Sequence, residues 1–182
     1  MRDPIVQYAM LAWVASEVVL NVIKRRRGAA SQDRGSLLLL FGGFTVISWL
    51  SFQLAANRVA PNDVSPWIGI AVFAAGVILR LWSIITLGQF FTVNVSIAND
   101  HQLVRRGPYR CLRHPSYTGI WLITTGLGLA MRDWSSFAAM TILPLLPLAY
   151  RIAVEERALS DRFGAEWDQY RKETRRLLPW IY

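Results

Sequence analysis

The chain reads as an all-α integral membrane protein, with five transmembrane helices, a constrained cytoplasmic loop and a C-terminal cytoplasmic helix. Three observations predict this. Hydrophobic residues make up 53% of the 182 residues and gather in runs close to bilayer length, which a soluble core does not need. The arginine clusters fall at alternate ends of those runs, as they do when one side of a membrane bundle is cytoplasmic. The one long polar interval, residues 101–119, is H-Q-L-V-R-R-G-P-Y-R-C-L-R-H-P-S-Y-T-G. Pro108 and Pro115 push Gly107 and His114 out of the helical region, so this interval is a loop with two fixed corners.

The elements follow in order within a single domain, residues 1–182. Residues 4–23 form a first span, stopped by Lys24-Arg25-Arg26-Arg27. Because positive charge stays inside, the N-terminus faces out. No basic region precedes a small-residue cleavage site, so the run is expected to be retained as a span. Residues 36–56 are the second span, 57–66 an outer turn, and 67–87 the third span, opened by an interfacial Trp67. The cytoplasmic loop covers 88–116, and its first part, 88–100, could be extended or interfacial. Spans four (117–131) and five (134–154) make a hairpin about Arg132-Asp133, with span five kinked by Pro144 and Pro147. In the tail, 155–182, Leu159, Phe163, Trp167 and Tyr170 recur at helical spacing, which predicts a cytoplasmic helix against the loop.

The net charge of +8 fits arginine held at a membrane face, with no nucleic-acid partner expected. The single Cys111 excludes an internal disulfide and a cysteine-based zinc site, and two histidines are too few for a His-rich metal centre. Glu17 and Arg80 lie at similar depth in spans one and three, and a buried ion pair, or Arg80 snorkelling to the interface, is favoured over a substrate role. Arg151 and Glu155 are four apart on one helical face, whereas Glu156 points about 100° round from Glu155. Positive-inside topology accounts for at least two of Arg105, Arg106 and Arg110. Arg113, His114, Tyr109 and Tyr117 offer donors and flat faces suited to a polar cofactor at the cytoplasmic face. No G-x-G-x-x-G joins a strand to a helix, and Gly126-x-Gly128 reads as helix packing.

The motif G-P-Y-R-x-x-R-H-P-x-Y-x-G at 107–119, followed by E-E-x-x-L-x-x-x-F-G-x-x-W-x-x-Y at 155–170, resembles the isoprenylcysteine carboxyl methyltransferase family. That family is related to membrane phospholipid methyltransferases, and the resemblance covers the C-terminal half. It implies an S-adenosylmethionine cofactor held by His101, Leu103, Val104, Gly107, Pro108, Tyr109, Arg113, His114, Pro115, Tyr117 and Glu156. It also implies Arg151 near the acceptor carboxylate; Glu155, on the same helical face, would then orient Arg151 as the second catalytic residue. Cys111 departs from the pattern, standing where a larger, often aromatic residue is usual. The implied partners are membrane lipids and a lipophilic or prenylated acceptor arriving from the bilayer. The chain carries fewer spans than eukaryotic members, which weighs against a prenylated protein as acceptor, and it is expected in a bacterial or archaeal cytoplasmic membrane.

Three rivals stand beside this reading: a phospholipid or amine methyltransferase, a sterol-type reductase using NADPH, and a non-enzymatic scaffold. The arginine asymmetry makes its own prediction. A reporter fused after Tyr182 should read cytoplasmic and one inserted at Asn62 external; the reverse pattern overturns the topology.

Overall fold

Proline, glycine and one aspartate decide where the helices of this chain begin and end. The computed structural model describes residues 34–57, 60–91 and 102–178, together with Val6, Tyr8, Met10, Leu11, Trp13, Ala15 and Glu17. These seven N-terminal positions are helical. The main helices are α1 (Arg34–Ala56), α2 (Pro66–Leu87), α3 (Pro115–Ala130), α4 (Trp134–Ile142), α5 (Leu145–Phe163) and α6 (Ala165–Glu173). Short 3₁₀ turns occupy Gly88–Phe90 and Gly107–Arg110. Among the described residues there is no strand, only isolated bridges pairing Pro61 with Asp133 and Leu112 with Arg175. The rest of the 92–101 segment and the basic linker after the first apolar run lie outside the described residues.

Two stretches among the described residues, Pro66–Phe90 and Trp134–Phe163, are long and apolar enough to cross a bilayer, and α1 adds the shorter apolar run Gly42–Ala56. Trp49, Trp67, Ile78, Trp82, Ile85 and Leu146 point outward with more than half their surface exposed. Such a belt is a liability in water and an ordinary surface in lipid. Pro144 has no N–H to donate, and the helix breaks there: α4 ends at Ile142 and α5 restarts at Leu145. Pro147 falls in the first turn of α5, where its missing N–H is not needed. Beyond the apolar part, α5 runs on without interruption to Phe163. Arg151, Glu155 and Glu156 therefore sit on one rigid cylinder. It ends at Gly164, whose φ of +50° few other residues adopt cheaply, and α6 turns away.

Helix α3 lies at the centre, with Ile120, Ile123 and Leu127 buried against Trp13, Phe44, Ile47, Met140 and Leu148. Its contact with α2 is backbone on backbone. A Cβ on Gly69 would lie 2.6 Å from the Gly126 carbonyl oxygen, and one on Gly126 would lie 2.6 Å from that of Gly69. Gly76 and Gly119 face each other in the same way, at 2.7 and 2.9 Å. Lipid offers no hydrophobic drive for helix association, so close packing of small residues must supply it. Gly128 serves a different neighbour, since a Cβ there would meet Met140 of α4 at 2.7 Å. One turn beyond Gly76, Arg80 donates to Ser116 Oγ (2.9 Å) and Glu17 Oε2 (2.6 Å), while Trp13 Nε1 donates to Glu17 Oε1 (3.2 Å). The Glu17–Arg80 ion pair, one of the readings favoured from sequence, is present, with Arg80 buried and Glu17 half-buried.

At the opposite end, Asp133 caps α4 by accepting from the Ser136 N–H (2.9 Å) and from the Ser135 hydroxyl. It also accepts from the Ala60 N–H (2.7 Å), tying the hairpin turn to the turn between α1 and α2. Arg132 takes a φ of +57° to make that hairpin tight.

The glycine contact predicts a contrast. Gly126→Ala should cost about 1–3 kcal/mol through overpacking, read as a lower melting temperature in detergent. Gly42, where an added Cβ would meet no heavy atom within 4 Å, should accept alanine without loss. Equal effects from the two variants would refute the packing argument.

Candidate active site

The polar loop is folded by a turn of its own and by contacts to the C-terminal segment. Gly107 starts it at φ +57°, and a Cβ there would press on Thr86 Oγ1 at 3.1 Å, so the position suits glycine on both counts. The following 3₁₀ turn buries Pro108 and Tyr109. Tyr170 of α6 donates its hydroxyl to the Tyr109 carbonyl (2.8 Å) and lies 3.4 Å from that of Leu112. Burial holds the Tyr170 phenol above its ordinary range against the opposing pull of Arg113 and Arg105, so it remains a neutral donor. Burial, reinforced by Glu155, raises Tyr109 likewise. The Arg105 guanidinium lies 5.5 Å from the centroid of the Tyr170 ring, and Arg106 and Arg110 are exposed.

Residues 111–114 then run parallel to 175–176. Arg175 N–H donates to Cys111 O (3.0 Å), Arg113 N–H to Arg175 O (2.7 Å), and His114 N–H to Arg176 O (3.1 Å). Thr118 Oγ1 donates to Leu177 O at 2.7 Å. The backbone N–H of His114 is thus taken by the C-terminal segment and is not among the donors left for a ligand.

Glu156 gathers this region. Its Oε1 accepts from Arg113 Nε (2.9 Å) and lies 3.3 Å from His114 Nε2; its Oε2 accepts from Arg176 Nε (3.1 Å) and Nη2 (2.9 Å). Arg113 also donates through Nη1 to the Arg171 (3.0 Å) and Thr174 carbonyls. A carboxylate this buried is tolerable because cationic donors meet both oxygens. Glu155, about a third exposed, takes a separate role. Tyr117 donates its hydroxyl to Glu155 Oε2 (2.7 Å) and accepts from Arg151 Nε (3.2 Å). The His114 ring stacks on Tyr117 with centroids 5.6 Å apart, joining the two networks.

Of the residues singled out by sequence, Arg113, His114, Tyr117, Arg151, Glu155 and Glu156 come together here. Pro108, Tyr109 and Pro115 are buried beneath the loop, Leu103 and Val104 are half-buried leading into it, and His101 lies outside the described residues. The sequence reading missed Arg176, Thr174 and the backbone of Arg171, which lie in a tail whose local pattern names no partner. Tyr109 and His114, read from sequence as faces open to a polar cofactor, are both buried.

A sequence model of the isoprenylcysteine carboxyl methyltransferase (ICMT) family matches residues 67–161, more than half of the chain. The chain belongs to the isoprenylcysteine carboxyl methyltransferase family. A probable protein-S-isoprenylcysteine O-methyltransferase of Oryza sativa subsp. indica is 28% identical over 178 residues, covering 95% of this chain and 93% of that one. The protein-S-isoprenylcysteine O-methyltransferase of Tribolium castaneum is 31% identical over 141 residues, covering 75% of this chain and 50% of its own length. A solved structure of the eukaryotic intramembrane Ras methyltransferase ICMT superposes with a TM-score of 0.61 at 26% identity, over 80% of this chain and 51% of that one. The chain thus spans about half the length of the latter two. It is an integral membrane methyltransferase with the ICMT fold. Relatives in a plant and an insect show that the family is not confined to bacterial and archaeal membranes.

The Glu156 network predicts a structural phenotype. Glu156→Ala strands Arg113 and His114 and should destabilise the protein by about 3 kcal/mol or more, seen as a lower melting temperature without any ligand present. An unchanged melting temperature would mean that the network does not hold the loop.

Proposed function

We propose that this ICMT-family enzyme moves a methyl group from S-adenosylmethionine to the carboxylate of a lipophilic, isoprenoid-like acceptor. The reaction lies at the cytoplasmic end of a five-span bundle, with spans at about 4–23, 36–56, 67–87, 117–131 and 134–154, the N-terminus outside and the C-terminus inside. The observation that carries this reading is the chain Arg151–Tyr117–Glu155 at the junction of the apolar helices and the polar loop. The names of the relatives support a carboxyl acceptor over an amine or a reductase substrate.

The residues present fit the cofactor. Arg80 Nε and Trp167 Nε1 are buried donors with no acceptor among the described residues. The ring of Tyr117, stacked on the buried His114, offers a partly exposed flat face. His101, Leu103, Val104, Gly107, Pro108, Tyr109, Arg113, His114, Pro115, Tyr117 and Glu156 would hold it, directly or by shaping the loop.

When bound, S-adenosylmethionine supplies an electrophilic methyl: an acceptor oxygen forms the new C–O bond as the C–S bond breaks, its electron pair staying on sulfur. A carboxylate is already nucleophilic at neutral pH, so no strong base is required. The protein's task is orientation and exclusion of water. Arg151 is suited to hold the acceptor carboxylate through parallel hydrogen bonds, a geometry that a lysine ammonium cannot reproduce. An amine acceptor would first have to lose a proton, and its pH–rate profile would show that dependence.

A titration of purified protein with S-adenosylhomocysteine and with NADPH should show binding of the former alone. Arg151→Lys should keep cofactor affinity within about a few-fold while lowering turnover roughly ten- to a thousand-fold, and Glu155→Gln should show a milder version. Wild-type turnover in Arg151→Lys would make Arg151 a structural residue only.

A further inference from the structure

Tyr117 stands among the residues around the cofactor, but its hydroxyl is occupied elsewhere. Arginine can only donate and an ionised carboxylate can only accept. The bonds from Arg151 Nε (3.2 Å) and to Glu155 Oε2 (2.7 Å) therefore run in one direction, with the phenol proton toward Glu155. The ring is fixed in turn. It stacks on His114 at 5.6 Å with 20° between the planes, and His114 is 3% exposed with Nε2 at 3.3 Å from Glu156. Pro115 fixes the start of the helix that carries Tyr117.

A continuous line of contacts thus runs from the buried Glu156 through His114 and Tyr117 to Arg151. Nε lies in the guanidinium plane, so a bond to Nε sets the rotation of that plane, which side-chain torsions alone leave open. Arg151 itself is 2% exposed, on α5 one turn before Glu155. We propose that Tyr117 is a positioning residue whose hydroxyl orients the Arg151 guanidinium for the acceptor carboxylate, rather than a hydrogen-bond donor to the cofactor. This rests on the methyl-transfer reading above.

Tyr117→Phe keeps the ring and its stacking and removes only the bridge. With an S-prenylated cysteine as acceptor, turnover should fall about tenfold or more, while S-adenosylhomocysteine affinity stays within about threefold of wild type. Adding Tyr117→Phe to Arg151→Lys should lower turnover less than about twofold further, the non-additivity expected when one residue acts through the other. Wild-type turnover in Tyr117→Phe, a loss of cofactor affinity in its place, or fully multiplicative effects would each overturn the proposal.

One readout is independent of activity. In arginine-labelled protein, the Arg151 Nε–H signal, assigned through Arg151→Lys, should exchange slowly with solvent in wild type and at least about tenfold faster in Tyr117→Phe, as for a lost hydrogen bond. Unchanged exchange overturns the proposal whether or not methyl transfer is found; faster exchange in a protein without methyl transfer upholds the bridge and removes the methyl-transfer reading alone. If Tyr117→Phe does not fold, Glu155→Ala removes the acceptor of the same hydroxyl. It should give the same drop in turnover at constant cofactor affinity, and wild-type turnover there overturns the proposal.

Discussion

The carboxylate of Glu156 is the point on which the polar half of this protein depends. Arg113 and His114 reach it from the loop and Arg176 from the tail, so three stretches distant in sequence meet at one charge. A buried charge without such donors is expensive, and donors without the charge are no better off. The arrangement is therefore all or nothing. The backbone pairing of 111–114 with 175–176 follows the same logic, since it satisfies N–H and C=O groups that proline has excluded from helix.

The apolar half obeys a different constraint. Within a bilayer the close approach of α2 and α3 rests on the two facing glycine pairs, which let backbones touch where side chains would hold them apart. That approach has a consequence for the polar half. It carries Arg80 to Ser116, beside the first turn of α3, where Pro115 and Tyr117 also sit. Packing in the oil and charge at its edge are thus coupled through one helix.

The two adjacent glutamates show how a helix divides labour. Successive residues point about 100° apart, so Glu156 turns inward to the buried arginines while Glu155, partly exposed, faces Tyr117. One is built to be saturated by the protein. The other keeps accessible surface beside the guanidinium that is suited to an acceptor. A carboxyl-directed methyltransferase needs this asymmetry more than it needs a base, because its nucleophile arrives already ionised.

Much of this was legible in the residues, and the limits are instructive. Apolar run lengths, the prolines at 108, 115 and 144, and the four-residue spacing of Arg151 and Glu155 act locally, through backbone sterics and helical periodicity. They predicted an all-helical chain, a cornered loop and two separately directed carboxylates, and the motifs at 107–119 and 155–170 pointed to the family. Arg176 could not be found that way, because nothing in its neighbourhood marks it off from the other arginines of the tail. The burial of His114 and Tyr109, the capture of the His114 N–H, and the Tyr117 hydroxyl between Arg151 and Glu155 were likewise out of reach. Each depends on which distant backbone comes within hydrogen-bonding distance, and that is decided by how α3, α5 and the C-terminal segment pack. The sequence by itself determined that the chain is helical, where its proline corners fall and which chemical types are on offer, but not that one helix would run on from the apolar part to Phe163 and break at Gly164. Only the tertiary structure decided which donor meets which acceptor, because hydrogen bonds a few ångströms long between residues dozens of positions apart leave no periodic trace in the chain.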